Sequence, residues 1–178
     1  LYFHNDDPDP RSWSTTTEQD YATTYRRYRG SIPEYEREGD AMAVRAFFRD
    51  EVDQGYLRLA ELVIVLGKVL DTGLSVTMEV HGHASPLAAN DYNINLSARR
   101  IESLRNHLWL VGDGALRPYL QRTAVNGAVL DIVMVPHGEE RSAEGVSDDR
   151  NHVERSVYAV EAARERRISV VAFHIDDP

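Results

Sequence analysis

The stretch Met78-Glu79-Val80-His81-Gly82-His83-Ala84-Ser85, followed by Asp91-Tyr92-Asn93-Ile94-Asn95-Leu96-Ser97-Ala98-Arg99-Arg100, decides how this chain is read. Leu74, Val76, Met78 and Val80 alternate with polar residues, which predicts a half-buried strand over 74–81. A glycine-marked loop follows, then a helix beginning near Asn90 or Asp91. Its expected buried residues are Ile94, Ala98, Ile101, Leu104, Leu108 and Val111, repeating at steps of three, four and seven. Asn93 and Arg100, seven positions apart, share one face of that helix, about 10 Å from each other. Arg100 lies off the centre of the apolar stripe, free to serve the loop side. An amide and a guanidinium there suit a carboxylate-bearing ligand.

Working outward, Leu1 to His4 reads as a short strand stopped by Asn5-Asp6-Asp7-Pro8-Asp9-Pro10. A helix is expected over 14–28, with Ser14 or Thr15 as cap and a stripe of Tyr21, Tyr25 and Tyr28, then a linker over 30–39. The apolar spacing predicts a long helix over 43–70, which Gly55 bends or breaks. A strand over 129–136 follows the turn Asn126-Gly127, a helix is placed at about 151–164, and a last strand covers 167–175. The order is β-α-β-α-β-α-β with an extra helix near the start, an α/β chain with at least one β-α-β unit. If the strands over 1–4 and 74–81 run parallel, their following loops open on one edge of the sheet and bring Asn5 and Asp6 toward Ser85, Asn93 and Arg100.

A chain of 178 residues, 42% of them hydrophobic, is enough for a single core, so one domain is expected over 1–178. A net charge of -9 argues against duplex nucleic acid as a partner. The chain has no cysteine, which excludes disulfides and thiolate metal sites. No run approaches the ~20 apolar residues needed to span a bilayer. The chain does not begin with Met and shows no leader, so it reads as part of a longer protein.

The loop and helix resemble the OmpA-like peptidoglycan-binding family. That family has a glycine-histidine-threonine-aspartate loop, an asparagine eight residues after the aspartate, a leucine-serine pair and an arginine. Here the corresponding residues are Gly82-His83-Ala84-Ser85, Asn93, Leu96-Ser97 and Arg100, with Ser85 in place of the aspartate. Arg166-Arg167-Ile168 is similar to the family's entry to its last strand. The resemblance implies an α/β sandwich with a small mixed sheet against helices, here carrying insertions at about 11–53 and 112–127. It further implies noncovalent binding of the diaminopimelate residue of a peptidoglycan stem peptide and no catalysis. Arg100 would take the ligand carboxylate, Asn93 would support it, and Ser85 would bond the ammonium without charge. Asp6 is expected to supply the missing carboxylate, with Asp7 and Asp91 as weaker candidates. Asn5 and Ala84 complete the expected binding set, which includes no metal and no cofactor.

The opening residues and His83 to Ala88 look like a subset of that family found in large outer-membrane lipoproteins, including PorE-like components of the type IX secretion apparatus. That implies a periplasmic domain tethering an outer-membrane secretion or motility complex, whose other subunits are further partners. Two other function classes follow from the residues. His81-Gly82-His83, with His4 and His137 as possible neighbours, has a spacing used by metal hydrolases, but no acidic ligand follows in a known pattern, so loop histidines are the expected reading. A serine hydrolase at Ser85 lacks the strained elbow such enzymes need. The remaining class is an interaction module that has lost ligand binding through Ser85.

Overall fold

The computed structural model describes residues 1–85, 89–137 and 156–176. Its elements are α1 (Tyr21–Gly30), α2 (Ile32–Glu38), α3 (Ala41–Phe47), a π-helical segment (Phe48–Asp53), α4 (Gln54–Asp71), β1 (Ser75–Gly82), α5 (Asn90–Gly114), α6 (Arg117–Leu120), β2 (Leu130–Pro136), α7 (Val160–Glu165) and β3 (Ile168–Asp176). The sheet has the order β2-β1-β3, with β1 parallel to β2 and antiparallel to β3. The chain is therefore mixed α/β, as the order of elements implies, and its sheet is small and mixed. Among the described residues, no helix is long and apolar enough to cross a membrane.

The expected first strand is shorter than a strand. Tyr2 makes a single antiparallel bridge to Arg167, flanked by Leu1–Ile168 bonds of 2.8 Å and a Phe3–Arg166 bond of 2.9 Å. Because β3 is antiparallel both to this segment and to β1, the segment and β1 run in the same direction. Their following loops accordingly open on one edge.

Val76, Met78 and Val80 of β1 turn inward, giving a strict alternation along the strand. They meet Leu59, Leu66 and Leu70 of α4 and Ile101, Leu104 and Leu108 of α5 in the main core. Ile94 and Val111, expected in that core, are only half-buried. α5 loses helical geometry at Val111–Asp113, where Gly112 and Asp113 take positive φ. Gly82 is a packing glycine as well as a loop marker. A Cβ there would lie 2.7 Å from the Ser97 carbonyl oxygen, so only glycine lets the end of β1 pack this tightly on α5.

The segment 11–53 folds differently from expectation. The first helix begins at Tyr21, not at Ser14, because Asp20 caps it through the Thr23 amide while Ser12, Ser14 and Thr17 hold the preceding chain in local side-chain turns. The expected linker over 30–39 contains α2, started by Pro33 in its first turn. The long helix over 43–70 is divided by the π-helical segment, which ends just before Gly55. Tyr28, Tyr35, Val44, Phe47, Phe48 and Val52 form a second core with Ala163. Residues 138–149 of the expected loop and 151–155 of the helix expected at about 151–164 lie outside the described residues; within the rest of that expected helix lies most of α7, which starts at Val160.

Candidate functional site

The edge on which both loops open is assembled by two arginines of α5. Arg100 has no exposed surface. Its Nε donates to the Asp7 carbonyl at 3.0 Å, one terminal nitrogen to the His83 carbonyl at 2.6 Å, and the other to the His4 carbonyl at 3.4 Å. One guanidinium thus ties the first loop to the loop after β1, with its plane over the Phe3 ring. Burial, reinforced by the nearby Arg166 charge and opposed by Asp7 and Asp6, pulls its pKa down to about 9. It remains charged at neutral pH.

Arg99 completes the clamp from the next position on the helix. It is also fully enclosed, and donates to the carbonyls of Pro8 (3.1 Å), Ser12 (2.6 Å) and Ser14 (2.7 Å). The held loop contains a cis Asp7–Pro8 bond and positive φ at Asp6, Asp9 and Arg11. Three non-glycine residues in the left-handed region cost of order 1–3 kcal/mol each, a conformation that persists where its surroundings over-determine it. The two guanidiniums do so. Sequence reasoning missed Arg99, although its pairing with Arg100 on a buried helix was the available signal.

Asp6 sits within this loop. One of its oxygens accepts the Arg11 amide at 2.9 Å, and the other accepts the Tyr92 hydroxyl, so its carboxylate is oriented from two sides. Burial, then the Asp6 carboxylate, raises the Tyr92 phenol above its ordinary pKa. Asp7 is nearly buried and paired with Arg27 at 3.0 Å; burial raises its carboxyl against the pull of that cation. Ala84, Ser85 and Asn93 are enclosed, and Asn5 and Asp6 are half-buried. Arg100 bonds residues 4, 7 and 83, which flank Asn5, Asp6, Ala84 and Ser85. The expectation that Arg100 stands free is corrected in one respect: its head reaches the loop side, but it is enclosed there and engaged by carbonyls.

The histidines separate. His83 and His137 are stacked with ring centres 4.9 Å apart, and His137 Nε2 lies 2.9 Å from His81 Nδ1. His81 Nε2 contacts Glu79 at 2.6 Å. If that Glu79 contact is an N–H···O bond from neutral His81, its Nδ1 accepts and His137 Nε2 donates. His4 is elsewhere, with Nδ1 3.1 Å from the Tyr35 hydroxyl, and burial together with Arg166, Arg27 and Arg100 lowers its pKa to about 4. Among the described residues no group of three His, Asp or Glu side chains is placed to hold a metal ion. Arg166, also fully buried, bonds the Val157 carbonyl at 2.6 Å and the Tyr35 hydroxyl at 3.1 Å, a structural role at a helix end. A groove of about 540 Å³ between α4 and β3, lined by Leu1, Leu59, Leu62, Val170 and Phe173 among others, includes none of the six expected binding residues.

Chemically, the edge offers one oriented carboxylate, a buried cation with donors to spare, and enclosed amide and hydroxyl side chains beside the start of α5. In general chemistry a carboxylate pairs with an ammonium and a guanidinium with a carboxylate. Comparison with protein-family models, with curated proteins and with solved structures finds no match for this chain.

Proposed function

We propose that this edge binds the zwitterionic end of a diaminopimelate residue in a peptidoglycan stem peptide, noncovalently and without turnover, in the manner of OmpA-like domains. The observation that carries the proposal is the junction of the two loops on Arg100 with Asp6 oriented beside it. The order of elements, from the bridged segment at Tyr2 through β1, α5, β2 and α7 to β3, supports the same reading.

In this reading Asp6 pairs with the ligand ammonium and offsets the uncharged Ser85. Arg100 spends three of the five N–H groups of a guanidinium on carbonyls. Its bond to His4 is long at 3.4 Å, and a ligand carboxylate would replace it with a shorter, charge-assisted one. Asn93 supports the carboxylate, and Asn5 and Ala84 line the approach. Such a domain would act as a periplasmic tether of an outer-membrane secretion or motility assembly, where many weak contacts act together.

The complete enclosure of Arg100 and the serine at position 85 favour one competing reading, a docking module without affinity for the cell wall. Calorimetric titration with a diaminopimelate-containing stem peptide separates the two. Binding that weakens about tenfold or more in Asp6→Asn, the order expected for loss of a charged hydrogen bond, supports the proposal. No heat with the parent chain across stem-peptide variants overturns the proposal and favours the docking reading instead.

A further inference from the structure

Trp13 is 64% exposed, yet its backbone is tied down on both sides. The carbonyl of Trp13 accepts from Asn95 Nδ2 at 3.0 Å. The carbonyls on either side, at Ser12 and Ser14, both accept from one Arg99 nitrogen. Three consecutive carbonyls are thus pinned to α5, while the indole stands outward. Its ring meets Tyr92 edge-on, with centroids 5.2 Å apart and planes at 82°, and the Tyr92 hydroxyl is bonded to Asp6. Trp109, the other tryptophan, is half-buried and covered by Arg117.

A single exposed apolar side chain is common on a folded protein, but an indole presented already ordered offers a large flat face at a reduced entropy cost on binding. The surroundings indicate what that face suits. Ser14, Thr15 and Thr16 are exposed, the Ser14 and Thr16 hydroxyls lie 3.0 Å apart, and Asp91 is exposed nearby in sequence to Tyr92. A protein-docking patch would continue as apolar area, whereas among the described residues of 1–20 and 89–100 Trp13 is the one exposed large apolar side chain, and the three residues that follow it in the chain are exposed hydroxyl residues. A pyranose ring has the complementary pattern, with C–H groups on its face and hydroxyls around its edge, so an indole covers the face by dispersion while neighbouring polar groups bond the hydroxyls.

We infer that Trp13 is a saccharide platform, stacking on a sugar ring of the ligand whose peptide end lies at Asp6. This rests on the stem-peptide reading above and extends it from peptide to glycan. The chain from the Trp13 ring through Tyr92 to Asp6 places the two subsites side by side, as a disaccharide and its attached peptide require.

The test titrates the whole chain and its Trp13→Ala variant by calorimetry against three probes: a disaccharide muropeptide, the same stem peptide without sugar, and a chitin tetrasaccharide. The expected result is that the parent chain binds the muropeptide more tightly than the free peptide, and that Trp13→Ala removes about tenfold of affinity for the muropeptide and none for the peptide. Trp13→Phe, which keeps an aromatic face, recovers part of the loss. Equal affinity for muropeptide and free peptide, or equal losses for both in Trp13→Ala, overturns the platform. If the parent binds no peptide, the stem-peptide reading fails separately; Trp13-dependent binding of the tetrasaccharide then supports the platform, and no such binding overturns it. Concentration-dependent self-association of the parent that Trp13→Ala abolishes, with no saccharide binding, identifies a protein contact and also overturns it.

Discussion

Arg100 and Leu104 stand one turn apart on α5 and neither exposes any surface, yet they are buried for opposite reasons. Leu104 joins Met78, Leu70 and Ile101 in a core that forms because apolar surface leaves water. Arg100 brings a charge into the interior, where desolvation opposes it, and is held there by carbonyls of residues 4, 7 and 83. The first half of the helix fixes the shape of a loop edge, and the second half supplies the cohesion that makes fixing it affordable. The comparison teaches that depth of burial does not distinguish a folding residue from a site-building one; the partners do.

The sharpest way to break this comparison is to replace each residue. Arg100→Met leaves three carbonyls without their donor and should cost about 3–5 kcal/mol, read as a fall in the denaturant midpoint. Leu104→Ala should cost a similar ~2–5 kcal/mol. They part in hydrogen exchange. In Arg100→Met the amides of Asp7 and Arg11, bonded within the loop, should lose protection well ahead of global unfolding. In Leu104→Ala they should track the global stability. Equal patterns in the two variants would dissolve the distinction.

Gly82→Ala probes the seam between the two halves. The new methyl would meet the Ser97 carbonyl oxygen at 2.7 Å, and forcing α5 away should cost about 1–3 kcal/mol while loosening the His83 contact to Arg100. A variant as stable as the parent would show that α5 can shift without harm.

The main core was legible in the sequence because Leu, Val and Ile repeat at the periods their elements require, so β1, the start of α5 and the end of α4 were placed closely. The clamped loop was legible only as an address. Asp6, Ser85, Asn93 and Arg100 could be gathered to one edge by strand direction and helical spacing, but not their enclosure, because carbonyl acceptors leave no mark on sequence. Arg99 went unread for the same reason, its acceptors being backbone carbonyls, and Trp13 went unread because its carbonyl bond to Asn95 and its ring contact with Tyr92 join segments about eighty residues apart. The segment 11–53 was misread where local side-chain turns at Ser12, Ser14 and Thr17 outcompeted a helix start, and where Ile32–Glu38 carries too few apolar residues to announce a helix.

A smaller effect concerns pH. His4, lowered to about 4, is neutral in the folded chain, whereas the unfolded chain takes up a proton near the ordinary value of 6.5. Between those values the unfolded state binds more protons, so stability should fall as pH falls from about 6.5 toward 4, by at most ~1.4 kcal/mol per pH unit from this group. His107, also lowered by burial, acts in the same direction, and the raised carboxyl of Asp7 acts against it at the acid end. His4→Gln should flatten the slope measured by denaturation at pH 6.5, 5.5 and 4.5. An unchanged slope would remove His4 from the clamp's acid sensitivity. Smallest of all, Arg49→Ala breaks only an exposed contact with Asp50 and should leave the denaturant midpoint unchanged, because water and salt screen a pair on the surface.

The most direct test is a two-dimensional amide NMR titration of the chain with a diaminopimelate-containing stem peptide. The account predicts saturable shifts concentrated at Asn5, Asp6, Ala84, Ser85 and Asn93, with the main core silent. Saturable shifts confined to the groove between α4 and β3, or none at any peptide concentration, would contradict it.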